Sequence, residues 1–64
     1  MEYTEHDYIE MGYQYAKAKN EYERLERARV IREMLAKERA GDVERARFLV
    51  ERGRLETWEV APSP

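Results

Sequence analysis

Glycine and proline are nearly absent from residues 5–40, where Gly12 is the single interruption. These two residues are the commonest helix stop signals, and they return only at Gly41, at Gly53 and in the tail after residue 60. The spacing therefore predicts one long helix over Glu5–Ala40.

The start of this helix carries several agreeing signals. Thr4 is a good N-cap, and Asp7 three residues later completes a capping box. Tyr3 and Tyr8 occupy the two positions of a hydrophobic staple. A break in the middle of the helix is the alternative, because Asn20 could cap a second helix; the sequence leaves both arrangements open.

Gly41 is placed to end the long helix in a left-handed conformation, and Asp42 can then cap a shorter one. We expect that second helix to run over Val43–Arg52 and to end at Gly53. The predicted fold is all-α, a helical hairpin of a long helix and a short antiparallel helix. The stripe that packs the short helix back onto the long one comprises Val43, Ala46, Leu49 and Val50.

Phe48 lies off this stripe and is expected at a second contact. The segment with Leu55, Trp58 and Val60 reads as irregular, with Trp58 folded over the hairpin. We expect a single helical-hairpin domain over residues 1–60 and a disordered tail over residues 61–64.

The chain has 64 residues and no cysteine, so neither disulfides nor thiolate metal sites can reinforce its small core. A monomer of this size is marginally stable, and a second chain is the expected source of further contacts. The sequence contains no long apolar run and no secretion signal, which favours a cytoplasmic protein without membrane contact.

The most informative pattern is an aromatic stripe with steps of three and four residues, typical of a helix face that meets another helix. Tyrosine combines a large contact area with a hydroxyl that tolerates water, and it is enriched at binding hot spots. We interpret the stripe as a dimer seam or a surface for a different protein, and the sequence does not decide between them. Ordinary packing within the chain is the remaining alternative. Its members are Tyr8, Met11, Tyr15, Ala18, Tyr22 and Leu25.

A second apolar stripe follows on the same predicted helix but points in a different direction. We assign it to packing against the chain's own second helix. Its members are Ala28, Ile31, Met34 and Leu35.

Arginine is three times as frequent as lysine, and several arginines crowd into one short segment, which raises the possibility of nucleic-acid binding. These side chains point in different directions and alternate with glutamates, and the formal net charge is −2, so nucleic-acid binding is the disfavoured alternative. The candidate contacts to a target are Tyr13, Arg24, Arg27, Arg29 and Arg32.

The sequence contains few residues that could catalyse a reaction. His6 is the single histidine, there is no cysteine, and no nucleophile with an oriented base can be assembled. His6 and Glu10 have a spacing that could hold a metal, but two ligands at a helix end make a weak site. We therefore expect no enzyme activity, no metal and no cofactor.

These observations favour a non-catalytic protein-binding module. We expect a homodimer that occludes or bridges a larger macromolecular partner and so acts as a small inhibitor or adaptor. In size, charge density and lack of active-site residues, the chain resembles in a general way the small inhibitors encoded by phages and mobile elements.

Overall fold

The computed structural model describes residues 1–56, and these form three α-helices with no strand among them. Helix α1 spans Glu5–Ala16, α2 spans Glu21–Ala36 and α3 spans Ala40–Leu55. The all-α prediction is confirmed, but the two-helix hairpin is wrong, because the predicted long helix is divided into α1 and α2.

The start of α1 matches the sequence prediction. The Thr4 hydroxyl accepts a hydrogen bond from the backbone N–H of Asp7 at 3.1 Å, and the Asp7 carboxylate accepts one from the backbone N–H of Thr4 at 3.1 Å. This is the reciprocal capping box. The rings of Tyr3 and Tyr8 meet edge to face with centroids 6.0 Å apart, as a staple requires.

The division between α1 and α2 is made by Asn20, without any glycine or proline. Asn20 is in an extended conformation, and its side chain accepts a hydrogen bond from the backbone N–H of Glu23 at 2.8 Å. The Glu23 carboxylate in turn accepts one from the backbone N–H of Lys19 at 2.9 Å. The prediction of a continuous helix over Glu5–Ala40 is therefore wrong, and the alternative break at Asn20 is confirmed.

Helix α3 begins earlier and ends later than predicted. Its N-cap is Arg39, which makes no capping hydrogen bond through its side chain, so the assignment of this role to Asp42 is wrong. Gly41 lies in the first turn and Gly53 lies inside the last turns. No glycine in residues 1–56 has a positive φ, so neither Gly41 nor Gly53 acts as a helix stop.

Two glycines instead allow α1 and α3 to approach closely. Gly12 and Gly53 are both buried. A Cβ on Gly12 would lie 2.8 Å from the carbonyl carbon of Val50, and a Cβ on Gly53 would lie 2.7 Å from that of Ile9. Because ordinary Cβ contacts begin near 3.4 Å, these positions accept only hydrogen on the facing side. The closest helix pair in the fold is therefore α1 with α3.

The core lies between these helices and the C-terminal half of α2. Its cluster of buried side chains in the described part of the chain comprises Tyr8, Met34, Ala46 and Leu49. Ile31 is also buried, while Val43 and Val50 are half-buried. Ile31 and Met34 of the second apolar stripe and the stripe on α3 thus face the chain's own core as predicted, and Leu35 packs against it. Ala28 of the second apolar stripe is half-buried and lies outside the core cluster.

The predicted irregular segment with Trp58 and Val60 and the predicted tail over residues 61–64 lie outside the described residues. Among the helices of residues 1–56, none has the length and apolar character needed to cross a membrane.

Candidate functional site

Tyr8, the first residue of the predicted aromatic seam, is fully buried in the chain's own core with 0% exposure. Its hydroxyl donates a hydrogen bond to the carboxylate of Glu38 and lies 3.3 Å from the carbonyl oxygen of Met34. Tyr8 is therefore unavailable to a partner, and its assignment to an interface is corrected.

Glu38 is the acceptor that joins the N-terminal segment to the end of α2. Its carboxylate accepts hydrogen bonds from the backbone N–H groups of Glu2 at 2.8 Å and Tyr3 at 3.1 Å, as well as from Tyr8. Desolvation acts to raise the pKa of Glu38, but these hydrogen bonds outweigh it and hold the pKa below its usual value. Burial, followed by the hydrogen bond and charge of Glu38, raises the pKa of Tyr8. These hydrogen bonds therefore join the N-terminal segment and α1 to the residues that follow α2, which is a structural role.

The break at Asn20 separates the rest of the predicted seam. Met11 and Tyr15 lie half-buried on α1, and Met11 packs against the core cluster. Ala18 is half-buried in the connection between helices. Tyr22 and Leu25 lie on α2, so the six residues do not form one continuous stripe.

Tyr22 and Leu25 are the seam residues that the fold leaves most open to solvent, with exposures of 76% and 59%. Ala28 follows Leu25 by three residues on the same side of α2 and lines a groove between the three helices. The groove has a volume of about 420 Å³. Its walls are formed by Tyr15, Ala28, Ile31, Arg32, Val50, Glu51 and Arg54. An apolar path thus runs from Tyr22 to Tyr15 across α2.

A separate apolar surface lies on α3. Phe48 is 57% exposed and Leu55 is 44% exposed, and their seven-residue spacing places them on one side of the helix, away from buried Ala46 and Leu49. The guanidinium of Arg45 stands 5.5 Å from the centre of the Phe48 ring. We call Phe48 and Leu55 the α3 outer face. The sequence predicts a second contact at Phe48 and an irregular segment at Leu55; the prediction for Leu55 is wrong, because it is the last residue of α3.

Most of the predicted target contacts are engaged within the chain. Tyr13 is half-buried, with the Lys17 ammonium 5.0 Å from its ring centre. The ammonium and the ring form a cation–π contact on the surface of α1. Tyr13 therefore keeps only part of its surface for a target.

Three of the four predicted arginines on α2 pair with glutamates of the same helix. Arg24 pairs with Glu21 at 2.8 Å, and Arg29 pairs with Glu26 and with Glu33. The third, Arg27, lies 3.8 Å from a carboxylate oxygen one turn earlier and donates a hydrogen bond to the Gln14 carbonyl at 2.8 Å, which ties α2 to α1. Their positive charge is largely neutralised locally.

Arg32 differs from the other three. It makes no ion pair or side-chain hydrogen bond with any residue in the described range. It is exposed and lines the groove beside Ala28. Its charge is therefore open to an external carboxylate or phosphate.

Residues 1–56 contain no cluster of three or more histidine, cysteine, aspartate or glutamate side chains able to hold a metal ion. His6 is exposed on the first turn of α1, and Glu10 is engaged by the side-chain amide of Gln14 at 2.8 Å. The Glu10 carboxylate is thus one acceptor in a surface hydrogen bond of α1.

Comparison with known proteins adds no further assignment. No protein-family model, curated protein or solved structure matches this chain. Its function therefore has to be argued from its own surfaces.

Proposed function

We propose that the protein is a non-catalytic protein-binding module, a small homodimeric inhibitor or adaptor that occludes or bridges a larger protein. One observation carries the proposal: apart from Met1, the large apolar side chains exposed in residues 1–56 lie on two helices, Tyr22 and Leu25 on α2 and Phe48 and Leu55 on the α3 outer face. Single exposed apolar residues are common on proteins, whereas contiguous apolar patches mark interaction sites, and the two residues on each helix are close enough in sequence to share one side of it.

The two surfaces favour separate partners. The α2 pair continues into the groove at Ala28, whereas Phe48 does not line that groove. We assign the α3 outer face to the target, because Phe48 offers a rigid aromatic anchor with the guanidinium of Arg45 beside it. A dimer joined at α2 then carries two target surfaces, which is what a bridging adaptor needs.

The test is affinity capture with the tagged protein, compared between wild type and Phe48→Ser. The matched control is Arg47→Ser, which changes the neighbouring exposed position on α3 to the same residue. We expect a captured protein to be retained by wild type and control and lost with Phe48→Ser. Retention should be similar at about 50 and 200 mM salt, because apolar contact is not screened. Equal capture by all three proteins would refute the assignment of the target surface.

The nucleic-acid alternative is weakened by the local pairing of Arg24 and Arg29 and by the structural bond of Arg27 to α1. It is tested with Arg24→Ala plus Arg32→Ala, which avoids the structural bond of Arg27. Phosphate binding should weaken steeply between about 50 and 200 mM salt. DNA or RNA retained by wild type at the higher salt and lost with this double variant would favour the alternative.

A further inference from the structure

One side of α2 carries a stripe with unlike charges at its two ends and apolar residues between them. Successive members are separated by four, three and four residues, which keeps them on one side of a helix. Leu25 is 59% exposed, and Ala28 is half-buried beside the groove. We call this set the α2 stripe: Glu21, Leu25, Ala28 and Arg32.

The α2 stripe is complementary to itself when a second copy is turned end to end. Glu21 and Arg32 lie at equal distances from the midpoint between Leu25 and Ala28. A two-fold axis at that midpoint sets Leu25 of each copy against Ala28 of the other, and Glu21 against Arg32. Such an isologous contact repeats every favourable pair twice.

We propose that the protein forms a homodimer in which α2 packs antiparallel against α2 of a second copy, with Leu25 and Ala28 at the centre and two Glu21–Arg32 ion pairs at the ends. The inference deepens the proposed function and rests on it for the homodimeric form. The α2 stripe replaces the predicted tyrosine seam as the proposed dimer contact. Of the predicted seam residues, Leu25 belongs to the α2 stripe and Tyr22 lies beside it.

The unpaired positive charge of Arg32 favours a partner that presents a carboxylate to it. Positions one turn away on either side offer it no acid; they are Ala28, Arg29, Leu35 and Ala36. The neighbouring groove residue Glu51 is itself paired with Arg54. Arg32 is therefore the charge on this side of α2 that the described residues leave unpaired.

Glu21 can supply the missing carboxylate. Its ion pair with Arg24 at 2.8 Å is exposed on both sides, and exposed pairs of this kind contribute little to stability. Exchange of that contact for one with the partner's arginine costs little, and both charges become better shielded from salt at an interface.

Orientation follows from the same charges. In a parallel pair in register, Glu21 would face its own copy and Arg32 would face its own copy, so both ends would repel. The antiparallel arrangement turns each repulsive contact into an attractive one. A foreign helix would need to reproduce this spacing of charges, whereas a second copy carries it by identity.

The experiment measures self-association of Glu21→Arg and Arg32→Glu by analytical ultracentrifugation. Each variant alone places like charges at both ends of the dimer, so its dissociation constant should rise about tenfold or more. An equimolar mixture of the two variants restores both ion pairs in a heterodimer, as does the double variant in a homodimer. Both should associate about as tightly as wild type.

Matched charge changes on α3 are the controls. Glu44→Arg and Arg47→Glu are exposed, and no ion pair joins either residue to another in the described part of the chain. They should leave the dissociation constant unchanged. Far-UV circular dichroism and the thermal midpoint establish that every variant is folded, and Leu25→Ser, which does not alter charge, should weaken the dimer independently.

Two results would overturn the inference. A wild-type protein that stays monomeric at high micromolar concentration would exclude the dimer. A dimer that tolerates Glu21→Arg and Arg32→Glu singly would place the contact elsewhere. A monomeric protein would also remove the homodimeric form from the proposed function, whereas a dimer joined elsewhere would not. Target binding through Phe48 is measured separately by capture, so failure of the α2 contact is distinguishable from failure of the protein-binding function.

Discussion

Replacement of Gly12 by alanine tests the close packing of α1 on α3. The added methyl group would lie 2.8 Å from the carbonyl carbon of Val50 and 2.9 Å from the backbone nitrogen of Arg54. Backbone atoms cannot rotate away as a flexible side chain can, so α1 and α3 must separate. Such overpacking costs about 3 kcal/mol at the upper end of its usual range, and the better helix propensity of alanine returns about 1 kcal/mol.

The net loss of unfolding free energy for Gly12→Ala is therefore about 2 kcal/mol. For a domain of this size, that loss lowers the thermal midpoint by roughly 8 to 16 °C. Thermal unfolding is followed by circular dichroism at one fixed protein concentration, because the midpoint of a dimer depends on concentration.

Gly41→Ala is the matched control, since nothing lies within 4 Å of the position where its Cβ would be. Gly41 is exposed in the first turn of α3. There the same substitution should stabilise the fold by about 0.4 to 1 kcal/mol. If Gly12→Ala raised the midpoint as Gly41→Ala is expected to, the close packing of α1 on α3 would be refuted.

Four further predictions concern the hydrogen bond between Tyr8 and Glu38 and the helix cap at Asn20. Tyr8→Phe should lower the unfolding free energy by about 1 to 2 kcal/mol, measured by urea denaturation, because it removes the buried hydroxyl that donates a hydrogen bond to the Glu38 carboxylate. Because the pKa of Glu38 is lowered in the folded state, its carboxylate stabilises the fold at pH values above the usual pKa of 4.5, and this contribution is lost as the pH falls through the folded-state pKa. Glu38→Gln should therefore reduce the loss of unfolding free energy at acid pH. The raised pKa of Tyr8 has the opposite effect: the protonated hydroxyl stabilises the fold below pH 10.0, and this stabilisation is lost as the pH rises through the folded-state pKa. Tyr8→Phe should remove this loss of stability at alkaline pH. Asn20→Ala removes the acceptor for the Glu23 N–H and should destabilise by about 1 kcal/mol, with Lys19→Ala as a neighbouring control.

Local signals predicted the beginning of α1, and they offered Asn20 as the beginning of α2 only as an alternative to one continuous helix. A capping box at Thr4 and a capping side chain at Asn20 act within one turn, so the residues involved are adjacent in sequence. The choice between a continuous helix and a break at Asn20 was beyond such signals. The Asn20 cap is compatible with the break, but the packing of α1 against α3, which favours the break over a continuous helix, involves residues far apart in sequence.

The glycines show why sequence position alone misassigned the helix ends. Gly41 and Gly53 were read as stops because glycine is the usual residue at a left-handed helix end. Gly53 is used instead for its missing side chain, which lets the backbone of Ile9 approach. A close approach depends on a segment far away in sequence, so no local pattern reveals it.

The candidate site was predicted in part for a similar reason. Periodicity identifies residues that share a helix face, but it does not say what covers that face. Tyr8 and Tyr22 belong to one pattern, yet Tyr8 is buried against the chain's own core while Tyr22 is 76% exposed. The break at Asn20 separates them. The proposed interaction surfaces on α2 and α3 therefore rest on the exposure of their side chains and not on periodicity.

The glycine contact and the exposed surface of α2 are linked consequences of one arrangement. Gly12 and Gly53 have no side chains, so the backbones of α1 and α3 come into direct contact and the two helices form a compact pair. Helix α2 packs mainly against α1 and does not lie between α1 and α3. Buried Ile31 and Met34 hold the C-terminal half of α2, while Leu25 in its N-terminal half stays exposed. A third helix that is covered along only one side offers its other side to a second molecule. The close packing of α1 with α3 thus leaves Leu25 of α2 exposed, and the proposed dimer contact is built on that side of the helix.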